Sequence, residues 1–398
     1  MVPKGWERKA LDEVSNVIDC KHRTPKYVGS GIPLVSPGTI KWGAIDLESP
    51  TKRVTTEEYE SLMDHCTVEY GDLVLSRNQS VGIASFVDSD KPFVLGQDTV
   101  LVKPKGSDPR FLFYNLQSID TQKTIFKLAG GSTFSRINLG DIRKLKAIYP
   151  PLAEQQKIAK ILSTWDKAIS TTERLIENST QQKKALMQQL LTGKKRLLDD
   201  EGKRFEGEWE EVKLSAVAQI TMGSSPKSEA YNDVGDGLPL LQGNADIKNR
   251  KSAPRIYTSQ ITKECHIGDI LFSVRAPVGT VAISNHHACI GRGIAAIKVK
   301  KNYSQDFLYQ WLLSFETKWE RYSQGSTFEA VNSNDIKSLN LSVPNPNEQQ
   351  KIATVLTNAD NEIELLEQQL ADLQQEKKAL MQVLLTGKKR VVVDGEGV

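Results

Sequence analysis

The sequence is poor in cysteine. Four thiols, Cys20, Cys66, Cys265 and Cys289, serve 398 residues and form no CxxC pair, which excludes a disulfide framework and fits a reducing compartment. Long apolar runs are missing too: no eighteen apolar residues follow one another, and the opening MVPKGWERKALDEVSNVIDC holds no stretch long enough for a signal peptide. The expected location is therefore cytoplasmic, without a membrane partner. No sign of charge dominates. Lys and Arg number 52 against 49 Asp and Glu, a net of +3, so any phosphate-binding surface must be local. Catalytic signatures are equally scarce: the chain has no Walker A loop, no GxGxxG after a strand, no HExxH, no GxSxG and no Asn/Asp-Pro-Pro-Tyr/Phe run, which removes the usual nucleotide, hydrolase and amino-methyltransferase readings. Glu211 and Lys213 match one end of a nuclease motif but lack a convincing upstream Asp, so chance is the better account. Cys265, His266, His286, His287 and Cys289 fit no common zinc-finger spacing, and neighbours on a strand point oppositely, so no metal site is expected.

What is present is a long repeat. Residues 183–196, KKALMQQLLTGKKR, return as 377–390, KKALMQVLLTGKKR, and EQQKIA at 154–159 returns at 348–353, both with an offset of 194. Weaker matches lie upstream: GGSTFSRINLGDIRKL at 130–145 with QGSTFEAVNSNDIKSL at 324–339, FLFYNL at 111–116 with FLYQWL at 307–312, GDLVLSR at 71–77 with GDILFSV at 268–274, and GIPLVSPGTI at 31–40 with GLPLLQGNAD at 237–246. Two long copies, rather than many short ones, imply two similar domains related by approximate two-fold symmetry.

The near-identical segments read as helices. Pro150, Pro151, Pro344 and Pro346 end strand-like runs, and no proline follows in either segment. Seam positions recur in steps of four and three. In the second copy they are Ile352, Leu356, Ala359, Ile363, Leu366, Leu370, Leu373, Lys377, Leu380 and Leu384, nine of ten apolar; in the first they are Ile158, Leu162, Trp165, Ile169, Thr172, Ile176, Ser179, Lys183, Leu186 and Leu190, seven of ten. That spacing predicts a coiled coil. Parallel packing would oblige the chain to run back about 57 Å, the length of such a helix, so an antiparallel pair is expected; two separate helices, each serving its own domain, are the alternative. Gly193 and Gly387, followed by Lys-Lys-Arg at 194–196 and 388–390, fit helix termination, with phosphate or partner contact as the other reading.

The stretches 1–150 and 207–343 alternate short apolar runs, such as Asp72 to Leu75, Thr99 to Val102 and Ile270 to Ser273, with Gly, Pro and Asn, and carry helical stretches near 109–126 and 304–322. The fold expected is α+β: two similar globular domains joined by two long helices that pair as an antiparallel coiled coil, pseudo-two-fold symmetric. Its segments are a first domain at 1–150, a helical region at 151–192, a linker at 193–206, a second domain at 207–343, a helical region at 344–390 and a tail at 391–398. Candidate DNA contacts sit in the domains' loops. They are Lys21, His22, Arg23 and Lys26, then Arg77, Asn78 and Gln79, and in the second domain Ser224, Ser225, Lys227, Gln242, Asn244 and Arg275. Arg matches guanine and Asn or Gln matches adenine in the major groove. The Gly-Ser-Thr-Phe runs add Ser132, Thr133 and Arg136, with Ser326 and Thr327, either as a phosphate-holding loop or as a plain turn.

In this order the motifs resemble the specificity subunit of Type I restriction-modification systems, over essentially the whole chain. The resemblance is carried by Gly5-Trp6 and Trp209, by the Gly-Ser-Thr-Phe runs with Asp141-Ile142 and Asp335-Ile336, by PPLAEQQKIA and PNPNEQQKIA, and by LLTGKK at 190–195 and 384–389. It implies two target-recognition domains, each reading half of an asymmetric bipartite site in double-stranded DNA, with the helices setting the gap, and a chain that is itself non-catalytic and without a cofactor. It further implies two modification subunits, which bind S-adenosylmethionine and methylate adenine, and motor-nuclease restriction subunits using ATP and Mg²⁺. The second domain lacks the Lys-His-Arg loop of the first, so residue-level contacts do not carry over. The rival expectations are a stand-alone DNA methyltransferase or nuclease, against which the missing motifs speak, and a coiled-coil scaffold joining two protein-binding domains.

Overall fold

The computed structural model describes residues 2–130, 136–324 and 330–393. The repeated segments form two helices of 39 residues, Leu152–Leu190 and Pro346–Leu384. Beyond their first turns, the less exposed positions of both follow the seam expected from the sequence. Gly193 and Gly387 take positive φ, 68° and 66°, which ends each helix where only glycine turns without strain. Among the described residues no helix is long and apolar enough to cross a membrane.

In the first domain a five-stranded sheet runs in the order Ser15–Asp19, Thr99–Pro104, Leu73–Ser76, Ala84–Phe86 and Gly43–Ala44, and a three-stranded sheet in the order Arg53–Val54, Ile32–Val35 and Val94–Leu95. Leu73, Val74 and Leu75 are fully buried, as expected of a central strand covered on both faces. The second domain repeats this with Ala218–Met222, Ile294–Val299, Ile270–Ser273 and Val281–Ile283 in its larger sheet, and Leu238–Leu241 parallel to Ala288–Ile290 in its smaller one. One helical stretch differs from expectation. The stretch near 109–126 is two helices, Pro109–Gln117 and Ile119–Leu128, broken where the Ser118 side chain accepts from Thr121 N and so caps a new helix; its counterpart Gln305–Gln324 is continuous.

Compactness divides the chain into one unit of Met1–Glu173 with Gln369–Val398 and another of Arg174–Gln368. Each therefore holds a domain, half of its own long helix and half of the other. In the first unit Ile158, Ala159 and Leu162 enter one core with Trp6, Phe111, Leu112, Leu384 and Leu385. In the second, Ile352, Ala353 and Leu356 do so with Phe307, Leu312, Leu190 and Leu191.

Several polar groups of the repeat form matching hydrogen bonds in the two units. Arg390 donates through Nε to Glu154 Oε2 at 2.8 Å and through Nη2 to Oε1; Arg196 donates through Nε and Nη2 to the Glu348 carboxylate at 2.6 and 2.7 Å. The arginine of each Lys-Lys-Arg triplet thus closes on the EQQKIA glutamate of the other copy. Lys377 pairs with Asp166 in the first unit and Lys183 with Asp360 in the second, so within each unit numbering rises along one helix as it falls along the other: the packing is antiparallel. The same aspartates tie the helices to their domains, Asp166 accepting from Tyr114 Oη at 2.5 Å and Asp360 from Gln310 Nε2 at 2.7 Å. Burial, and then the Asp166 hydrogen bond, push the Tyr114 hydroxyl well above its ordinary pKa. Gln155 and Gln349 donate to the carbonyls of Pro150 and Pro344, both at 2.8 Å, and accept from Asp108 N and Ser304 N.

Candidate nucleic-acid interface

Four loops of the first domain meet around a cleft of about 240 Å³, bordered by Arg23, Tyr27, Lys52, Asn78, Gln79 and Gln97. The loop after Ser15–Asp19 carries the basic run. Arg23 forks onto Glu58 at 2.6 and 3.2 Å, and Lys21 donates to Asp64 Oδ2 and Ser61 O, both at 2.6 Å, so the helix Thr56–Met63 holds this loop from below. His22 Nε2 lies 3.1 Å from Asp19 Oδ2. Lys26 is exposed and has no ion-pair partner among the described residues. Gln79 and Asp98 both take positive φ, 58° and 61°, uncommon outside glycine. Asn78 holds both: its Oδ1 accepts from Gln79 N at 2.8 Å and its Nδ2 donates to Asp98 Oδ2 at 3.3 Å, while Arg136 Nη2 pairs with Asp98 Oδ1 at 2.6 Å. Gln79 is thereby presented outward.

Arg77 requires a correction. Only 6% exposed, it donates to both Asp19 oxygens at 2.9 Å and to Ile137 O at 3.2 Å. A guanidinium so enclosed holds the loop and is not offered to bases. The repeat carries the signal: GDLVLSR and GDILFSV align Arg77 with Val274, which is buried in the second core with Met222 beside it, the counterpart of Asp19.

In the second domain the equivalent loops also converge. Ser225 Oγ accepts from Arg292 N at 3.1 Å and Arg292 Nε at 3.4 Å, and Gly293 N donates to Gln242 O at 3.1 Å. A Cβ at Gly293 would fall 2.2 Å from Gln242 O, so glycine is required for that approach. Ser224 N donates to Ile290 O at 2.9 Å, and the backbone N of Lys227 to Gln260 Oε1 at 3.0 Å, leaving the Lys227 side chain exposed. Asn244 Oδ1 is buried with no partner among the described residues. Arg275 is exposed, in a backbone bridge to Ala330 that matches the bridge of Asn78 to Arg136. Sequence reasoning missed Arg292. It is exposed between two buried glycines and occupies the place of Gln97, because Gly96 N bonds Val35 O as Gly291 N bonds Leu241 O. The Gly-Arg-Gly run was the available signal. Ser132, Thr133, Ser326 and Thr327 lie outside the described residues.

The two sites differ electrostatically. In the first, Lys21, Arg23 and Arg136 are paired with carboxylates; in the second, Lys227, Arg275 and Arg292 have none among the described residues. Exposed pairs are worth only about 0–1 kcal/mol, so a phosphate can displace the carboxylates of the first site. Hydrogen-bonding side chains and cations on loops suit groove and phosphate contact. Burial pushes the thiols of Cys20, Cys66 and Cys265 above their ordinary pKa, so none is a ready nucleophile.

A family profile described as the Type I restriction modification DNA specificity domain matches residues 3–179 and again 206–375. A Methanocaldococcus jannaschii chain provisionally named the type I restriction enzyme MjaX specificity subunit is 34% identical over 411 residues, 98% of this chain and 95% of that relative. The MjaVIII specificity subunit of the same organism is 26% identical over 310 residues, 73% of this chain and 72% of that one. Among solved structures, the S subunit of a Type-I restriction-modification system from M. genitalium is similar in fold, with a TM-score of 0.65 at 16% identity over 96% of this chain and 99% of that one.

Proposed function

The chain belongs to the Type I restriction-modification DNA specificity family, and from that premise we propose that its two domains, within 1–150 and 207–343, each read one half of an asymmetric bipartite DNA site. It is a DNA-recognition subunit and not itself catalytic. The observation that carries the two-half reading is the pair of matched loop clusters bearing different side chains. In the first, Lys21, His22, Arg23, Lys26, Asn78, Gln79 and Arg136 face DNA, joined by Ser132 and Thr133. In the second, Ser224, Ser225, Lys227, Gln242, Asn244, Arg275 and Arg292 do so, joined by Ser326 and Thr327. Cations grip phosphates while Asn, Gln and Arg reach base edges.

The paired helices set the gap between half-sites. Modification subunits binding S-adenosylmethionine and restriction subunits using ATP and Mg²⁺ supply the chemistry in the cytoplasm, and this chain contributes no cofactor.

The test is to map methylated adenines in cells carrying the complete system. Arg275→Ala and Arg292→Ala should weaken binding, and each lost phosphate contact should lower the slope of log K against log salt by about one. Exchanging the second domain's loops should alter one half-site only. Altered sequence in both half-sites would refute modular reading. One heptad added to both helices lengthens each by about 10.5 Å, or roughly three base pairs, and should change the gap with both half-sites unchanged.

A further inference from the structure

In the smaller sheet of the second domain the edge strand Glu264–Cys265 pairs antiparallel with Ala288–Ile290, with Glu264 opposite Cys289 and Cys265 opposite Ala288. One further step of that register sets His266 opposite His287. Residues directly opposite, and residues two apart on a strand, share a face. Glu264, His266 and His287 therefore share one face and are exposed there, while Cys289, on the same face opposite Glu264, is fully buried, and Cys265 and Ala288 turn inward and are fully buried. The thiols that made a zinc site conceivable from sequence have turned away or are buried, and a carboxylate stands with the histidines instead.

The geometry is close. His287 Nε2 lies 2.6 Å from Glu264 Oε2, the two imidazoles stack with centroids 4.8 Å apart and planes 12° apart, and one ligand atom from each of the three residues lies within 4.8 Å of the other two. Zinc binds such atoms at about 2.0–2.2 Å in a tetrahedron, which sets them roughly 3.3 Å apart. Small side-chain rotations supply the difference. Asp269 stands behind His266: its Oδ2 accepts from His266 N at 2.8 Å and lies 3.8 Å from His266 Nδ1. A carboxylate at Nδ1 favours presentation of Nε2 to a metal.

We propose that Glu264, His266 and His287 form a binding site for one divalent transition-metal ion of the zinc class, with solvent in the fourth position. Two imidazoles and one carboxylate favour zinc over Mg²⁺ or Ca²⁺, which take six or more oxygens. The ion staples the edge strand to the strand that runs on into Gly291–Gly293 and Arg292. The other cluster of metal-ligating residues among those described, Asp19, Cys20 and His22, is a weaker candidate, because Asp19 already takes the Arg77 guanidinium and Cys20 is buried.

The experiment titrates Zn²⁺ into the chelator-treated full chain by calorimetry, alongside thermal unfolding with and without Zn²⁺ and with Mg²⁺ as control. Expected are one saturable Zn²⁺ per chain, a raised melting temperature with Zn²⁺ and none with Mg²⁺. His266→Gln, His287→Gln and Glu264→Gln should each lose at least tenfold in affinity, while His22→Gln should lose nothing. Asp269→Asn should lose about 10–100-fold. The three ligands are exposed, so these variants should melt in the absence of metal like the parent chain. Absence of saturable binding, or equal affinity in the His266→Gln/His287→Gln double variant, would overturn the site. Full affinity in Glu264→Gln would overturn the carboxylate's place in it.

Discussion

Replacing Arg196 by alanine tests the clasp at the end of the helices. Glu348 is 0% exposed in its side chain and Arg196 19%, and among the described residues that guanidinium is the carboxylate's hydrogen-bonding partner. Removing one member of a buried pair leaves an uncompensated charge, at a cost of about 3–5 kcal/mol. The unit concerned, Arg174–Gln368, is of a size at which each kcal/mol lowers Tm by about 2–4 °C, so a drop of roughly 6–20 °C is expected. Calorimetry should show it as a loss in the transition of that unit. The mirror variant Arg390→Ala should cost less, because Glu154 keeps a donor in Trp6 Nε1 at 3.4 Å and the Arg390 side chain is 44% exposed. Combining Arg196→Met with Glu348→Leu should recover most of the loss, since apolar replacement of a whole buried pair is often neutral or better. The reasoning is refuted if Arg196→Ala melts no lower than a variant at an exposed cation such as Lys203.

Two further outcomes follow from the first domain. Asp19→Ala strands the buried Arg77 guanidinium and should cost about 3 kcal/mol in denaturant unfolding, whereas Asp19→Met with Arg77→Val, copying Met222 and Val274, should be near neutral; a double variant as unstable as Asp19→Ala would contradict this. Glu58 and Asp64 are held below their ordinary pKa chiefly by hydrogen bonds from Arg23 and Lys21. A depressed carboxylate contributes stability above the unfolded value and loses it as pH falls through the folded one, so the loop should loosen below about pH 4. Amide exchange at Lys26, whose N lies 3.3 Å from Glu58 Oε1, should rise there relative to its intrinsic rate, and Glu58→Gln should reproduce the effect at pH 7; full protection in Glu58→Gln at pH 7 would exclude it.

The helices, their direction and the doubling of the domains were legible because a seam in steps of four and three and an offset of 194 are patterns within the chain itself. Lys183 and Lys377 looked like flaws in that seam; each proves to face an aspartate 177 or 211 residues away, a separation no periodicity reports. The same distance in sequence hid the closure of Arg196 and Arg390 on Glu348 and Glu154, so both triplets read as helix endings. Loop composition marked loops that come together in each domain but could not sort their side chains. Arg77 and Arg23 are equally basic in sequence, and only the fold turns one inward and the other toward the cleft. The alignment of GDLVLSR with GDILFSV sets Arg77 opposite the apolar Val274, and the next loop sets Arg292 in the place of Gln97.

Leu384 and Leu385, each 3% exposed, complete the same core as Trp6, Ile158 and Leu162. Protein is made from its beginning, and more than 200 residues must follow Leu162 before these leucines leave the ribosome. At 5–20 residues per second the wait is roughly 10–45 s. The second core has no such delay, since Leu190 and Leu191 are made before the domain they serve. Of the two domains, the one synthesised earlier is therefore completed later. Loss of the stretch that carries Leu384 and Leu385 would leave the first domain's core open to chaperones and proteases, so a truncation beyond the second domain is felt in the first.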